Sequence, residues 1–321
     1  RDEEFGDALK LCDRAMEIGR SFDMQPYTGN FLWVKADMFQ QLGNLDEAMS
    51  AVDESIRVLN PGSDGNGKGS ETLGFVHALT FKGKLFGQDD IVSMGRFDEA
   101  AATLTRSFTL IDDLVHQDPK DQLSRDRLAD AGVNLGDVLR HLDAGRSLDI
   151  YDHTLRHLAE VTDNSAFRRF EVDALAGSSY PLRQLGRSGE ARQRLDAAFE
   201  RLRQLKLYPA EKVAPGSEAE DALRALAESE AGNGDLQRAI ERYEEILDLT
   251  RAANSRPETS LPDALDRSNL YRGKAALHRQ AGQADAALAL DARCRDLWQA
   301  WARKLPNNAF VRRQIQALDS Q

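Results

Sequence analysis

The sequence predicts an all-α chain: a right-handed superhelical solenoid of antiparallel helix pairs, about six units long. Three observations carry this. First, a glycine is followed five residues later by an alanine opening an amphipathic run, at Gly43/Ala48, Gly95/Ala100, Gly186/Ala191, Gly234/Ala239 and Gly282/Ala287. The alanines step by 52, 91, 48 and 48 residues, the 91 spanning a degraded copy around Gly145 and Ser147. A fixed period of this size belongs to stacked repeats. Second, 9 prolines and 7% aromatics in 321 residues suit helices better than sheets. Third, each period holds two stretches with apolar residues at helical spacing.

Residues 1 to about 24 read as a lone second helix, with Ala8, Cys12 and Ala15 on one face. Repeat units fill 25–305. In the first, Leu32, Ala36 and Phe39 share a face, Gly43 and Asn44 suit a left-handed helix end, and Ala48, Val52 and Ser55 line the return helix, which stops before Pro61. Small residues at 36 and 48 allow close backbone approach. The pattern returns as Leu79, Gly83 and Phe86 with Ala100, Leu104 and Ser107, and as Leu135, Gly136 and Leu139. It continues as Leu175, Ser179 and Leu182 with Ala191, Leu195 and Ala198, then Leu223, Ala227, Ala239, Tyr243 and Ile246, then Tyr271, Ala275, Ala287 and Cys294. Glu230, His278 and Asp291 stand where the pattern wants apolar fillers, and Pro181 is expected to kink a first helix. Pro61–Ser70 reads as a loop, and Gly87–Ser93 as an insert between two helices of one unit. Residues 306–321 form a capping helix, with Asn307 and Asn308 as N-caps, Phe310, Ile315 and Leu318 inward, and Arg312, Arg313 and Gln316 toward water. The whole, 1–321, is one array.

The spacing resembles the tetratricopeptide repeat, W-x2-L-G-x2-Y then A-x3-F then P, with a period near 48 instead of about 34. The extra length is expected in longer helices. The chain also resembles the repeat region C-terminal to the catalytic domain of bacterial eukaryotic-type Ser/Thr protein kinases. This rests on the long units, on the insert after Lys82–Gly87, and on the ending Leu297–Trp298 through Arg303–Asn308 with Phe310–Arg313. The resemblance implies a regulatory or docking region, with a kinase domain upstream in the parent protein. The chain itself has no Gly-rich loop, H-R-D or D-F-G motif.

Other chemistry is excluded or minor. A net charge of −11 speaks against nucleic acid as partner. No apolar stretch approaches the length of a membrane span. Gly62–Lys68 nearly spells a phosphate-binding loop, but Gly69 replaces the Ser/Thr and no strand precedes it. Asp64, Asn66 and Gly69 echo a calcium loop, but Lys68 and Phe75 occupy ligand positions. His153 and His157, four apart, share a helical face and with Glu160 as a third ligand could hold a metal, but the hydrolytic version needs a glutamate where Thr154 stands, and the two are expected to be surface histidines with no metal bound. No cofactor is expected. Cys12 and Cys294 read as buried, unpaired residues of a reducing compartment, hence a cytoplasmic protein, or an extracytoplasmic one if the parent is membrane-anchored. The chain starts at Arg1 inside a helix and is expected to be a fragment.

The expected function is binding without catalysis. Taking the small residue of each first helix as reference, the concave groove receives the positions three before, one after and four after it. These supply Trp33, Lys84, Arg140, Tyr180, Arg183, Arg224, Arg272 and Arg279, alongside acidic residues that include Glu228. The surplus of arginine suits a protein or peptide segment bearing carboxylates, which guanidinium forks bind in pairs. Two alternatives are a peptide-responsive regulator whose array changes compaction, and, more remotely, a metal-dependent hydrolase built on His153 and His157.

Overall fold

A computed structural model describes residues 2–22, 25–60, 69–160 and 165–319. The described residues form fourteen α-helices and no strand. The predicted loop residues 61–68, with the phosphate-loop and calcium-loop candidates Asp64, Asn66 and Lys68, lie outside the described residues. The chain divides into two compact units, 1–138 and 139–321.

The first unit contains α1 (Asp2–Ser21), α2 (Gln25–Gln41), α3 (Leu45–Leu59), α4 (Gly69–Gly87), α5 (Phe97–Gln117) and nearly all of α6 (Gln122–Leu139). Helix α2 packs on α3 and α4 on α5, the predicted pairs; α1 packs on α2, α3 on α4, and the first helices α2 and α4 also touch. The second unit contains α7 (Ala144–Ala159), α8 (Ser165–Gln184), α9 (Ser188–Gln204), α10 (Glu218–Gly232), α11 (Leu236–Ala252), α12 (Leu261–Gln280), α13 (Ala284–Lys304) and α14 (Ala309–Asp319). Here α8 pairs with α9, α10 with α11 and α12 with α13, while α8 also lies against α7 and α10. The long period goes into helices of 15 to 21 residues and into the connection 205–217.

The glycine–alanine signal has a direct structural cause. Gly43, Gly95, Gly186, Gly234 and Gly282 all adopt positive φ, between 71° and 90°. This left-handed conformation is open to glycine at no steric cost. At four of these turns the next amide reaches back five residues, as in Asn44 N to Phe39 O at 2.8 Å and Arg187 N to Leu182 O at 2.8 Å. The alanines that follow are at most 1% exposed, because each sits where the return helix crosses its partner. Opposite them, Ala36, Gly83, Gly136, Ser179, Ala227 and Ala275 are all buried. In the degraded copy the device differs: Asp143 caps α7 by accepting from Arg146 N at 3.0 Å, and the alanine position is the fully buried Ser147.

The irregular positions are satisfied individually. Glu230 is buried against Arg238 (3.0 Å) and Arg242 (3.5 Å), His278 meets Gln283 Oε1 at 2.5 Å, and Asp291 pairs with Arg279. Helix α8 runs on past Pro181 to Gln184, with Ser178 and Ser179 hydroxyls donating to the Leu175 and Ala176 carbonyls. The insert after α4 folds back on it, Met94 N donating to Leu85 O and Arg96 N to Phe86 O. Asn308 caps α14, accepting from Val311 N at 3.1 Å; Phe310, Val311 and Leu318 face inward. Arg313 departs from the expected solvent-facing position: it is half-buried, its guanidinium 5.5 Å from the Phe310 ring centre. Cys12 and Cys294 are buried free thiols. No helix among the described residues is long and apolar enough to cross a membrane.

Candidate functional site

In the second unit α8 and α10, with Arg140 just after the end of α6, bring four of the eight predicted groove residues together, Arg140, Tyr180, Arg183 and Arg224. Tyr180 follows the buried Ser179 and is half-buried against the apolar cluster that α8 forms with α9 and α10. Two guanidinium groups lie over its ring, Arg140 at 4.6 Å and Arg183 at 4.9 Å from the centroid. Such cation–π contacts hold cations beside an aromatic face at modest desolvation cost. Arg183 also reaches α10, donating to Ala225 O at 3.2 Å and to Glu228 at 2.9 Å. Burial, and then the nearby Glu228 charge, push the Tyr180 hydroxyl well above its ordinary range.

Arg224 continues the cluster. It pairs with Glu220 one turn before it and with Asp266 of α12 at 3.2 Å. Glu220 is fully buried and Asp266 6% exposed. Two such carboxyls cannot both ionise cheaply. Burial and the Glu220 charge push the Asp266 carboxyl well up. Burial opposes ionisation of Glu220 too, but Arg224, the Asp266 hydrogen bond and the Gly216 amide at 2.7 Å outweigh it and hold its carboxyl down. Asp266 is thus the carboxyl that favours its neutral form and Glu220 the one that favours ionisation, with Arg224 as counter-charge.

The arginines chosen from sequence are therefore largely matched by carboxylates of the chain itself. Arg279 is paired with Asp291, and Arg272 donates to Asn269. The surface is one of preorganised ion pairs around an aromatic ring, more balanced in charge than the sequence count implied. Asp266 and Glu220 were not among the residues singled out from the sequence. The available signal was the i, i+4 spacing of Glu220 and Arg224.

Trp33 and Lys84 sit in the first unit. Trp33 packs edge-on against His77, ring centres 4.4 Å apart. Neither His77 nitrogen is hydrogen-bonded among the described residues, and Asp130 stands 3.9 Å from Nδ1. Burial and the charge of Arg127 push His77 down to about 4, so the ring is neutral near pH 7. Gln40, four residues after Ala36 and so at a groove position by the register above, donates to Val92 O and ties down the insert. His153 and His157 are half-buried neighbours on α7, their Nε2 atoms 3.2 Å apart.

No family model matches the chain, and no curated protein matches it. Solved structures do. The Rap conjugation gene regulator of plasmid pLS20, in complex with the Phr* peptide, superposes with a TM-score of 0.58 at 13% identity, over 96% of this chain and 72% of that one. BtubC from P. vanneervenii gives 0.53 at 14% identity, over 80% and 92%. The apo quorum sensor NprR from B. thuringiensis gives 0.52 at 9% identity, over 97% and 82%. At these identities the likeness shows the fold: the chain is an all-α, tetratricopeptide-like helical repeat protein.

Proposed function

We propose that this chain is a non-catalytic scaffold that binds a peptide or protein segment on the first-helix face of residues 139–321, with Tyr180 as its anchor. The observation that carries this is the pair of guanidinium groups already fixed over the Tyr180 ring. Aromatic and arginine groups held in place before binding contribute most where a partner docks. The likeness to Rap and NprR supports the reading, since the former's structure holds a peptide and the latter is a quorum sensor. An acidic segment is the favoured ligand, because its carboxylate exchanges with Glu228 on Arg183 without disturbing the ring contact.

A peptide array read with three proteins tests this. Tyr180→Ala is expected to lose captured segments by about tenfold or more. Glu228→Gln, which removes the internal competitor, is expected to strengthen capture of acidic segments. Identical binding by wild type and both variants, all shown to melt alike, overturns the proposal.

A second reading, the peptide-responsive regulator, is favoured by the same arginine. Arg183 ties α8 to α10 through Ala225 O and Glu228, so a ligand that takes Arg183 loosens that tie. Small-angle scattering with and without a captured peptide separates the two: an unchanged radius of gyration leaves the static scaffold. The setting within a Ser/Thr kinase rests on the ending Leu297–Arg313, and a cytoplasmic location on the two free thiols. Detection of a kinase domain on the same polypeptide, by mass spectrometry of the native protein, tests the former.

A further inference from the structure

We propose that His153 and His157 form a transition-metal site on α7, of the zinc, cobalt, nickel or copper class, independent of the peptide-binding face. The two residues lie four apart, so one helical stripe carries both rings. Their Nε2 atoms stand 3.2 Å apart, with ring centres 4.9 Å apart and planes inclined by 42°. A tetrahedral ion with nitrogen ligands at about 2.0–2.1 Å needs those nitrogens about 3.3–3.4 Å from each other. The observed separation is thus already near the bite of one ion, with little rotamer adjustment needed. Two nitrogens this close otherwise share a single proton, one ring donating and the other accepting; a metal lets both neutral rings donate lone pairs.

The surroundings favour a dication. Both rings lie in the last two turns of α7, which ends at Ala159, where carbonyls carry the helix's partial negative charge. Asp149, one turn before His153, and Glu160, the helical C-cap residue three after His157, fall on the same stripe and are exposed. Carboxylates at those positions add negative potential around the ion, and water can fill its open places. Imidazole nitrogens select this borderline group of metals over calcium or magnesium.

The site is one for binding, not hydrolysis. The residue after His153, where the metalloprotease pattern carries its general base, is Thr154, fully buried with its hydroxyl on Ile150 O at 2.9 Å.

The test is titration of the full chain with Co2+ and Zn2+, by calorimetry and by cobalt visible absorption. One equivalent of cobalt giving ligand-field bands, displaced by zinc, is the expected result. His153→Asn and His157→Asn are each expected to weaken zinc by at least about tenfold. Glu160→Gln is expected to weaken it less. Two-dimensional imidazole nitrogen spectra should show both rings as Nδ1–H tautomers once zinc is added. If the His153→Asn/His157→Asn double variant, melting like the wild type, binds cobalt equally well, the metal sits on surface carboxylates and the proposal fails. Wild-type protein that takes up no metal sinks it as well.

Discussion

Single residues decide the turns. Gly234 has φ +90° and nothing within 4 Å of where a Cβ would sit, so only its backbone angle requires glycine. Gly189, within α9, has equally open space and no left-handed angle. The two positions therefore separate conformational strain from packing. Gly234→Ala is expected to destabilise by about 1–2 kcal/mol. Gly189→Ala is expected to stabilise by about 0.5–1 kcal/mol. Urea unfolding of both variants measures the difference, and equal effects of one sign would contradict the assignment of strain. Gly177 illustrates the third case, close approach: a Cβ there would lie 2.5 Å from the Tyr151 hydroxyl oxygen. Turn glycines of this kind were legible in the sequence because their cause is local to a few residues.

Between elements the decisive contacts are not local, which explains what the sequence concealed. Arg183 meets Glu228 45 residues on, and Arg224 meets Asp266 42 residues on. Both distances approximate one repeat, since each links a first helix to the next. A scan that treats charges along one helix sees Arg183 as a surplus cation, whereas its partner lies a period away. Six arginines or lysines were assigned to the first-helix face one helix at a time, and for that reason the partners of Arg183 and Arg224 on the next first helix stayed hidden. The α10–α12 contact also sets a pH dependence. A carboxyl raised by folding, as at Asp266, contributes stability that is whole below the ordinary carboxylate range and is lost as pH climbs toward its raised value. Glu220, held down, contributes the opposite slope, lost as pH falls through its lowered value. Asp266→Asn stays neutral and can still donate to Glu220. Its melting temperature is expected to hold as pH rises above the ordinary carboxylate range while that of the wild type falls, roughly by a few degrees. Parallel melting curves across that range would mean that folding does not raise the Asp266 carboxyl.

Across the whole molecule, charge is divided unevenly. Residues 1–138 carry 14 Lys and Arg against 25 Asp and Glu, which accounts for all of the net −11. Residues 139–321 carry 28 of each. Self-repulsion weakens a compact state, and salt screens it over about 10 Å at 0.1 M. Raising salt is therefore expected to slow amide exchange in the first unit. In the second, whose ion pairs lose strength under the same screening, exchange is expected to stay level or quicken. Hydrogen-exchange mass spectrometry on the intact chain reads both units at once, and uniform slowing would contradict the partition. An acidic segment, if that is the ligand, accordingly meets less opposition from the second unit than from the first.

The contacts that span one period also say how such a chain could lengthen. Glu218 and Asp266 lie 48 residues apart, at the same place in successive units, and each accepts an arginine from the preceding first helix, Arg169 at 3.0 Å and Arg224 at 3.2 Å. Suppose Arg187–Gly234 were copied in tandem after Gly234. Arg224 would then face the copied Glu218 instead of Asp266, and the copied Arg224 would inherit Asp266. Both Arg224 junctions would keep a pairing of opposite charges, while the copied Glu228 would meet Ala231 where Arg183 stood, so growth by gene duplication costs one ion pair at the seam.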